Sequence, residues 1–265
     1  MCLLAFAWLH HPLWRVVMIG NRDEFHARPT AGLARWDGLP EVIGGRDLRS
    51  GGGWAGVDSA GRMAVVTNVR DPLAAQTGPS RGALVADYLR GSATADAHAQ
   101  LLAAKAAAYA PFNLLLADAE SAEYLGNHPA ARQRLTPGVH GMSNGALDAP
   151  WPKTRRLMAA LSAWTDAGDA QLAPLWEALA DEHRPADTDL PDTGIGLERE
   201  RWLSPAFIRG DDYGTRASTI ILIAADGSGQ IHERRFGAQG VFNGAGHVAF
   251  QPGQTGPDPS RRSGI

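Results

Sequence analysis

The second residue, Cys2, has the side chain best suited to nucleophilic chemistry in this chain. Its small size permits removal of Met1, which would leave an α-amine and a thiol on one residue. Their reference pKa values, about 7.7–8.0 and about 8.5, suit proton transfer near neutral pH. The amine could therefore act as the base for the thiol and allow acyl transfer without a histidine. As an alternative, Cys2 is a small buried residue that opens a core strand.

Four polar residues, Asn21, Arg22, Asp23 and Glu24, directly follow an apolar run that ends at residue 20. Such a run at the end of a strand indicates either the rim of a site or a solvated strand end. In an extended backbone, Asn21 and Asp23 face one side of the strand, and Arg22 and Glu24 face the other. Only one of these two pairs could then face Cys2.

Three further polar residues lie beside predicted strands or turns. Asn68 ends an apolar strand and could donate its amide to an oxyanion. Asn144 lies in a glycine-flanked turn over residues 140–145, where the backbone tolerance of asparagine is the alternative explanation. Arg216 precedes a strongly apolar strand and could hold a carboxylate or support the site, with a surface ion pair as the alternative. The glycines at 44–45 and 51–53 predict flexible turns.

Composition excludes several classes of function. A net charge of −3 and a pI near 6.3 provide no basic field that would attract nucleic acid or an anionic membrane. A single cysteine excludes an internal disulfide and a cysteine-based structural zinc site, and the nine histidines show no metal-ligand spacing. We therefore predict no metal site and a reducing, cytoplasmic location.

The apolar first twenty residues do not predict a membrane span or a secretory signal. His10, His11, Pro12 and Arg15 interrupt them well short of a span. A basic start and a small-residue cleavage site are also missing. We interpret this segment as two strands joined by a turn.

The remaining chain predicts strands with two apolar faces, at residues 2–9, 15–20, 63–69, 112–117 and 219–224. Such strands need a covering layer on each side. A hairpin signal, Asp226-Gly227, precedes a strand over 230–236. Helical periodicity predicts helices over 81–90, 95–109, 153–164 and 170–182. The expected organisation is one domain over residues 1–250 and a frayed tail over 251–265.

Several motifs in order along the chain resemble the NRDE family, also called the transport and Golgi organisation protein family. They are Met1-Cys2, NRDEF at 21–25, GGRDL at 44–48, GGWAGV at 52–57, TNVR at 67–70, HGMSNG at 140–145 followed by PWPK, and YGTRAST at 213–219. The family is similar to N-terminal-nucleophile (Ntn) hydrolases. The resemblance therefore implies an α+β fold, a four-layer αββα sandwich with antiparallel sheets.

Within that group, the resemblance to penicillin V acylases, bile salt hydrolases and acid ceramidase implies roles for individual residues. Cys2 would be the nucleophile, Asp23 the partner of its amine, and Asn68 and Asn144 the oxyanion or positioning groups. Arg216 would support the nucleophile. Asn21, Arg22 and Glu24 are predicted to bind substrate.

One departure from the hydrolase pattern concerns Arg22 and Asp23. The hydrolases place the corresponding arginine and aspartate three residues apart, whereas here they are adjacent. Either the chain turns at this motif, or Arg22 faces away from Cys2.

The leading interpretation is a cysteine amidohydrolase that acts on a small acyl amide or lipid-like substrate and needs no cofactor. The alternative is a non-catalytic protein that binds or traffics haem or an acyl lipid in membrane and secretory homeostasis. In that case Cys2, His10 or His11 could ligate the haem iron. A structural role without a ligand is the third interpretation, and the oligomeric state is left open.

Overall fold

The computed structural model describes residues 2–253, which form thirteen strands and five α-helices. The strands are β1 (Cys2–Trp8), β2 (Trp14–Phe25), β3 (Thr30–Trp36), β4 (Leu39–Asp47), β5 (Ala55–Asp58), β6 (Met63–Asn68), β7 (Phe112–Ala117), β8 (Ala122–Asn127), β9 (Ala130–Arg134), β10 (Gly138–Met142), β11 (Tyr213–Ala224), β12 (Gly229–Phe236) and β13 (Phe242–Phe250). The helices are α1 (Gly82–Arg90), α2 (Ala95–Ala103), α3 (Pro152–Asp166), α4 (Ala173–Leu179) and α5 (Leu197–Trp202).

Two antiparallel sheets form the centre of the molecule. The first has the strand order β10-β1-β2-β11-β12-β13, and the second runs from β3 to β9 in sequence order. One apolar cluster fills the space between the sheets. A second packs α1 and α2 on the outer face of the second sheet, and a third packs α3 and α4 on the outer face of the first. The predicted four-layer αββα sandwich is confirmed.

Strand β1 shows why the sequence builds these layers. Its alternate residues Leu4 and Phe6 belong to the cluster between the sheets, whereas Leu3 and Ala5 belong to the cluster beneath α3 and α4. All four are almost fully buried. A strand with two apolar faces is stable only inside such a stack, because each face needs an apolar layer against it.

The polar motif at residues 21–25 is part of strand β2, which continues without a turn from Trp14 to Phe25. Strand β1 pairs with one side of it and β11 with the other, so Arg22 lies opposite both Cys2 and Ala217. The expectation of a solvated strand end is therefore wrong, because Asn21, Arg22 and Asp23 are all buried.

Gly44 and Gly45 lie inside strand β4 and not in a flexible turn. A Cβ atom on Gly45 would lie 2.1 Å from the ring of Trp54, so the glycine makes room for that indole. Close approach of a side chain, and not backbone freedom, explains this glycine.

Other boundaries differ from the sequence-based expectation. Strand β10 covers part of the predicted turn at 140–145, since it pairs with β1. Helix α2 ends at Ala103 and a short 3₁₀ turn follows at Ala106–Ala108, while α4 is shorter than expected at both ends. Strand β13 ends at Phe250, where the predicted tail begins, and residues 254–265 of that tail lie outside the described residues.

Candidate active site

A cavity of about 540 Å³ opens at the end of the sandwich where β1 begins. Five of the residues predicted from the sequence line it, namely Cys2, Arg22, Asp23, Glu24 and Asn68. The remaining lining residues are mostly polar and include Arg28, Asp47, Arg49, Ser50, Trp54, Gln76, Ser80 and Arg81. The cavity is therefore a charged chamber with one thiol in its wall.

Cys2 is fixed by strand pairing and by a hydrogen bond to its carbonyl. It lies opposite Arg22 in the β1–β2 register, so the two side chains share the face between the sheets. The Ser143 hydroxyl donates to the Cys2 carbonyl oxygen over 3.2 Å. Burial raises the pKa of the Cys2 thiol, so the thiol needs a base before it can react at neutral pH.

Asp23 projects from the opposite face of β2 and is 1% exposed. The Thr215 hydroxyl donates to Oδ1 of Asp23 over 2.7 Å, and the Tyr213 hydroxyl donates to its backbone carbonyl over 3.3 Å. Burial raises the pKa of Asp23, and the positive charge of Lys153 opposes that rise. The carboxyl group therefore sits where its charge depends on neighbouring cations.

Lys153, in the first turn of α3, is the main source of that positive charge and was not predicted as a site residue. Its side chain is almost fully buried, and its ammonium group donates to the Leu203 carbonyl over 2.9 Å. Burial lowers the pKa of Lys153 to about 8, and Asp23 opposes the lowering. Lysine is seldom buried without a charged partner, so its position here ties α3 to the site.

Arg70 and Glu200 form a second buried pair beside Asp23 and Lys153. Their side chains are 5% and 3% exposed and are joined by an ion pair. The Arg70 guanidinium also lies 5.0 Å from the ring centroid of Trp151. This ion pair connects the segment that follows β6 to α5. Its two charges compensate each other beside the site.

Asn68 and Asn144 lie together but face different surroundings. The Asn144 amide donates to the Asn68 carbonyl over 2.8 Å, and the Arg70 amide donates to the Asn144 carbonyl over 2.8 Å. Asn144 is 1% exposed and does not line the cavity, whereas Asn68 does. The hydroxyl of Thr67 also donates to the Ser143 carbonyl over 2.6 Å. The TNVR and HGMSNG motifs therefore interlock around Cys2.

Arg22 and Glu24 belong to a network of charges on the wall that faces the second sheet. Arg22 donates to Asp47 over 3.1 Å, and Arg28 pairs with the same carboxylate. Glu24 lies 3.8 Å from Arg22 and 3.7 Å from Arg28. The Arg22 guanidinium stacks over the Trp54 ring at 4.5 Å from its centroid. These contacts join the NRDEF, GGRDL and GGWAGV motifs.

The adjacency of Arg22 and Asp23 follows from the continuous strand. The chain does not turn at this motif, and Arg22 does not face away from Cys2, so neither expected explanation of the departure is correct. Arg22 shares the face of Cys2, and Asp23 occupies the other face near the cavity end. Strand β11 pairs with this part of β2. A bulge in β11 shifts the register, so that Thr215 lies opposite Asp23 and Ala217 lies opposite Arg22.

The structure does not bring Asn21 or Arg216 to the cavity. The Asn21 amide donates to the carbonyls of Leu179 and Ala206, each over 2.8 Å, so it anchors the helical layer. Arg216 is the bulge residue and donates to the carbonyls of Phe25 and Arg28. It lines a separate cavity of about 120 Å³. Side-chain direction at the bulge is not visible in a sequence.

The missed residues gave weak signals in the sequence. Lys153 and Glu200 are charged residues in or near helices, where a solvent-exposed position is the usual expectation. Thr215 and Ser143 lie inside the quoted motifs, each next to a predicted residue, Arg216 and Asn144, and only their neighbours were singled out. Arg81 directly precedes α1 and gave no signal of its own.

His10 and His11 lie at the other end of β1 from Cys2. His10 contacts Asp166 over 3.4 Å, and the His11 ring stacks on Trp164. No group of three or more metal-binding side chains occurs within residues 2–253. Cys2 and these histidines therefore do not form one site in this conformation.

The sequence of this chain matches the model of a known protein family over most of its length. A model of the family described as "Transport and Golgi organisation 2" matches residues 1–238. This chain belongs to the transport and Golgi organisation 2 family. Relatives similar to this chain include the transport and Golgi organization protein 2 homologs of Bos taurus, which is 31% identical, and Homo sapiens, which is 30% identical. Each alignment covers 88% of this chain and 92% of the relative.

Solved structures similar to this family member are Ntn-type hydrolases. One is the Caenorhabditis elegans ortholog of N-acylethanolamine-hydrolyzing acid amidase, with a TM-score of 0.50, 12% identity, and coverage of 83% of this chain and 92% of that one. Another is the C2A mutant of conjugated bile acid hydrolase from Clostridium perfringens, with a TM-score of 0.53, 9% identity, and coverage of 94% and 92%. At this identity the likeness shows the fold alone, which is the Ntn-hydrolase type predicted from the motifs.

Among the described residues, no helix has the length and apolar character that crossing a membrane requires.

Proposed function

We propose that this protein is an N-terminal-cysteine amidohydrolase that acts on a small acyl amide. The observation that carries the proposal is the position of Cys2. It begins a central strand and lines a cavity together with Asp23 and Asn68. This is the arrangement that a self-activating nucleophile needs, because its base is its own amine.

In the proposed reaction, removal of Met1 exposes the α-amine of Cys2. The amine takes the thiol proton, and the sulfur attacks the carbonyl carbon of the amide. The C–N bond then breaks, the departing amine takes the proton from the α-ammonium, and a thioester remains on Cys2. Water then attacks the thioester carbonyl, the C–S bond breaks, the carboxylic acid leaves, and a proton from the water restores the Cys2 thiol. The raised pKa of the buried thiol supports the need for this internal base.

Asp23 and Asn68 have separate roles in this proposal. Asp23 holds the α-ammonium by charge, and the positive charge of Lys153 favours the ionised form of the Asp23 carboxyl against the effect of burial. The side-chain amide of Asn68 stabilises the oxyanion of the tetrahedral intermediate. Asn144 acts as a positioning residue, because its amide is engaged on the Asn68 carbonyl.

The lining of the cavity favours a polar substrate over a lipid-like one. Polar side chains outnumber apolar ones in the wall, and Trp54 and Val66 are among its few apolar members. A long acyl chain gains its binding energy from apolar contacts, which this wall offers only in part. A free thiol as the working group also fits a reducing compartment such as the cytoplasm.

The alternative is a non-catalytic protein for trafficking haem or an acyl lipid, and the names of the relatives speak of transport and Golgi organization without naming a ligand. It would use the same cavity without turnover. His10 and His11 lie beyond the far end of β1, where His10 contacts Asp166 and His11 accepts from the Leu13 amide. The structure therefore gives no support to a haem site that combines these histidines with Cys2.

Intact mass spectrometry combined with an amide screen tests the proposal. The purified protein is weighed before and after reaction with a thiol-reactive acyl probe at neutral pH. We expect loss of Met1 and rapid acylation at Cys2, and release of amine from at least one member of a panel of small acyl amides. Cys2→Ala should reduce turnover by at least about a thousandfold while the protein stays folded.

Full turnover by Cys2→Ala and Cys2→Ser would contradict the proposal. Retention of Met1 together with an inert thiol would also contradict it and would favour the binding alternative. Asp23→Asn provides a graded comparison, since it removes the charge and keeps the hydrogen bond from Thr215. We expect it to lower the rate of acylation and leave the thermal stability close to that of the wild type or higher.

A further inference from the structure

The charges on the cavity wall are not balanced. Arg22 and Arg28 pair with Asp47 and Glu24, so this part of the wall is compensated. Two further arginines, Arg49 and Arg81, line the same cavity. Within residues 2–253 neither of them forms an ion pair with a carboxylate. The cavity therefore holds uncompensated positive charge near Cys2.

Arg81 carries the stronger part of this argument because it is half-buried. It lies directly before α1, and its Nη1 donates to the Pro111 carbonyl over 3.1 Å and to Oε1 of Gln76 over 3.5 Å. Both acceptors are neutral. Across the described chain, Nε and Nη2 of Arg81 have no protein acceptor. Guanidinium groups with unused donors are suited to a planar oxyanion.

The electrostatics of Arg81 agree with this geometry. Burial lowers the pKa of Arg81, and Glu24 and the thiolate form of Cys2 oppose the lowering. The guanidinium therefore has lost part of its hydration and lies within electrostatic reach of the thiol. A charge in such a place is compensated most effectively by an anion that enters the cavity.

We propose that Arg81, with Arg49 at the rim, forms an anion subsite, so that the ligand of this cavity carries a carboxylate or a similar oxyanion. The subsite deepens the proposed function by naming the substrate class as acidic acyl amides. It does not depend on turnover, because the anion would bind whether or not Cys2 is acylated. Arg22 and Arg28 are not part of the subsite, since their charges are already paired.

Two alkylating agents of nearly equal size test the subsite directly. Iodoacetate carries a carboxylate and iodoacetamide is neutral, and both react with the thiol of Cys2, the single cysteine. The ratio of their rates on the wild type, divided by the ratio on a cysteine peptide, reports attraction of the anion. We expect Arg81→Gln to lower this normalised ratio by about fivefold at low salt, and Arg81→Lys to preserve most of it. Arg90→Gln is the matched control, because Arg90 is an exposed residue at the other end of α1.

A normalised ratio that is the same in the wild type and Arg81→Gln would overturn the proposal. If Cys2 resists both reagents, the subsite is measured by titration with N-acetylglycine and the neutral N-acetylglycinamide. The indole N–H resonance of Trp54, which lines the cavity, is then the signal. We expect saturable binding of the acid in the wild type and in Cys2→Ala, and its loss in Arg81→Gln. Equal responses to acid and amide would refute the subsite.

These outcomes separate the two proposals. A protein that distinguishes the two probes but hydrolyses no amide keeps the subsite and loses the amidohydrolase. A protein that hydrolyses neutral amides as rapidly as acidic ones keeps the enzyme and loses the subsite.

Discussion

The substitution Glu233→Gln should stabilise the protein in a pH-dependent way. Glu233 on β12 faces the space between the sheets and is 3% exposed. Its Oε1 accepts a hydrogen bond from the Leu33 amide over 2.8 Å, which glutamine can preserve. Burial raises the pKa of Glu233 from its usual 4.5 to about 7. Folding therefore favours the protonated acid, and the ionised form carries a penalty.

The size of the effect follows from that pKa. The gap between 4.5 and about 7, at about 1.4 kcal/mol for each pH unit, corresponds to about 3 kcal/mol. Because the folded pKa is raised, this stability is present at low pH and is lost as the pH rises from 4.5 to about 7. Glutamine cannot ionise. The variant should exceed the wild type by about 3 kcal/mol at pH 8 and by less than about 1 kcal/mol at pH 5.

Urea denaturation at both pH values measures this difference, with the slope of each transition checked for two-state behaviour. Glu120→Gln is the control, because Glu120 is exposed, and we expect a change within about 0.5 kcal/mol at either pH. The reasoning is refuted if the difference between Glu233→Gln and the wild type is the same at pH 5 and pH 8.

Two further substitutions test contacts around the cavity. Gly45→Ala should reduce the free energy of unfolding by about 1–3 kcal/mol, because its Cβ would lie 2.1 Å from the Trp54 ring. Urea denaturation checks this against Gly246→Ala, whose Cβ would meet nothing within 4 Å and which should change little. Glu200→Gln should reduce the free energy of unfolding by about 3–5 kcal/mol, because the buried charge of Arg70 loses the carboxylate of its ion pair. A change as small as that of the exposed Glu198→Gln would show that the Arg70 charge is solvated.

Much of the architecture could be predicted because apolar strands with two buried faces leave few arrangements. Strands β1, β7 and β11 have such faces in the sequence, and all three are interior strands that pair with a neighbour on each side. The short polar strand β9 was not predicted, because it lies at a sheet edge and its residues are exposed. Edge strands take their conformation from pairing with a neighbour, which a local pattern does not contain.

The candidate site shows the same division. Cys2, Asp23 and Asn68 are polar groups beside apolar strands, and this contrast is visible in the sequence. The position of Lys153 is not visible in the sequence, because nothing local shows that its ammonium group will be buried and will donate to the Leu203 carbonyl. Arg216 was predicted as a supporting group, but the bulge in β11 turns it toward another cavity. A bulge changes which face a residue occupies, so period-two alternation fails there.

The pairing of β1 on both sides has a practical consequence for handling the protein. Strand β10 holds one edge of β1 and β2 holds the other, so Cys2 cannot be pulled away from the cavity without breaking sheet hydrogen bonds. A peptide placed ahead of Cys2, such as a purification tag, would have to leave the strand at the cavity. Its peptide bond to Cys2 would also block the α-amine that the proposed mechanism uses. A tag at the C-terminus avoids this. A removable N-terminal leader would keep the α-amine of Cys2 blocked until cleavage frees it.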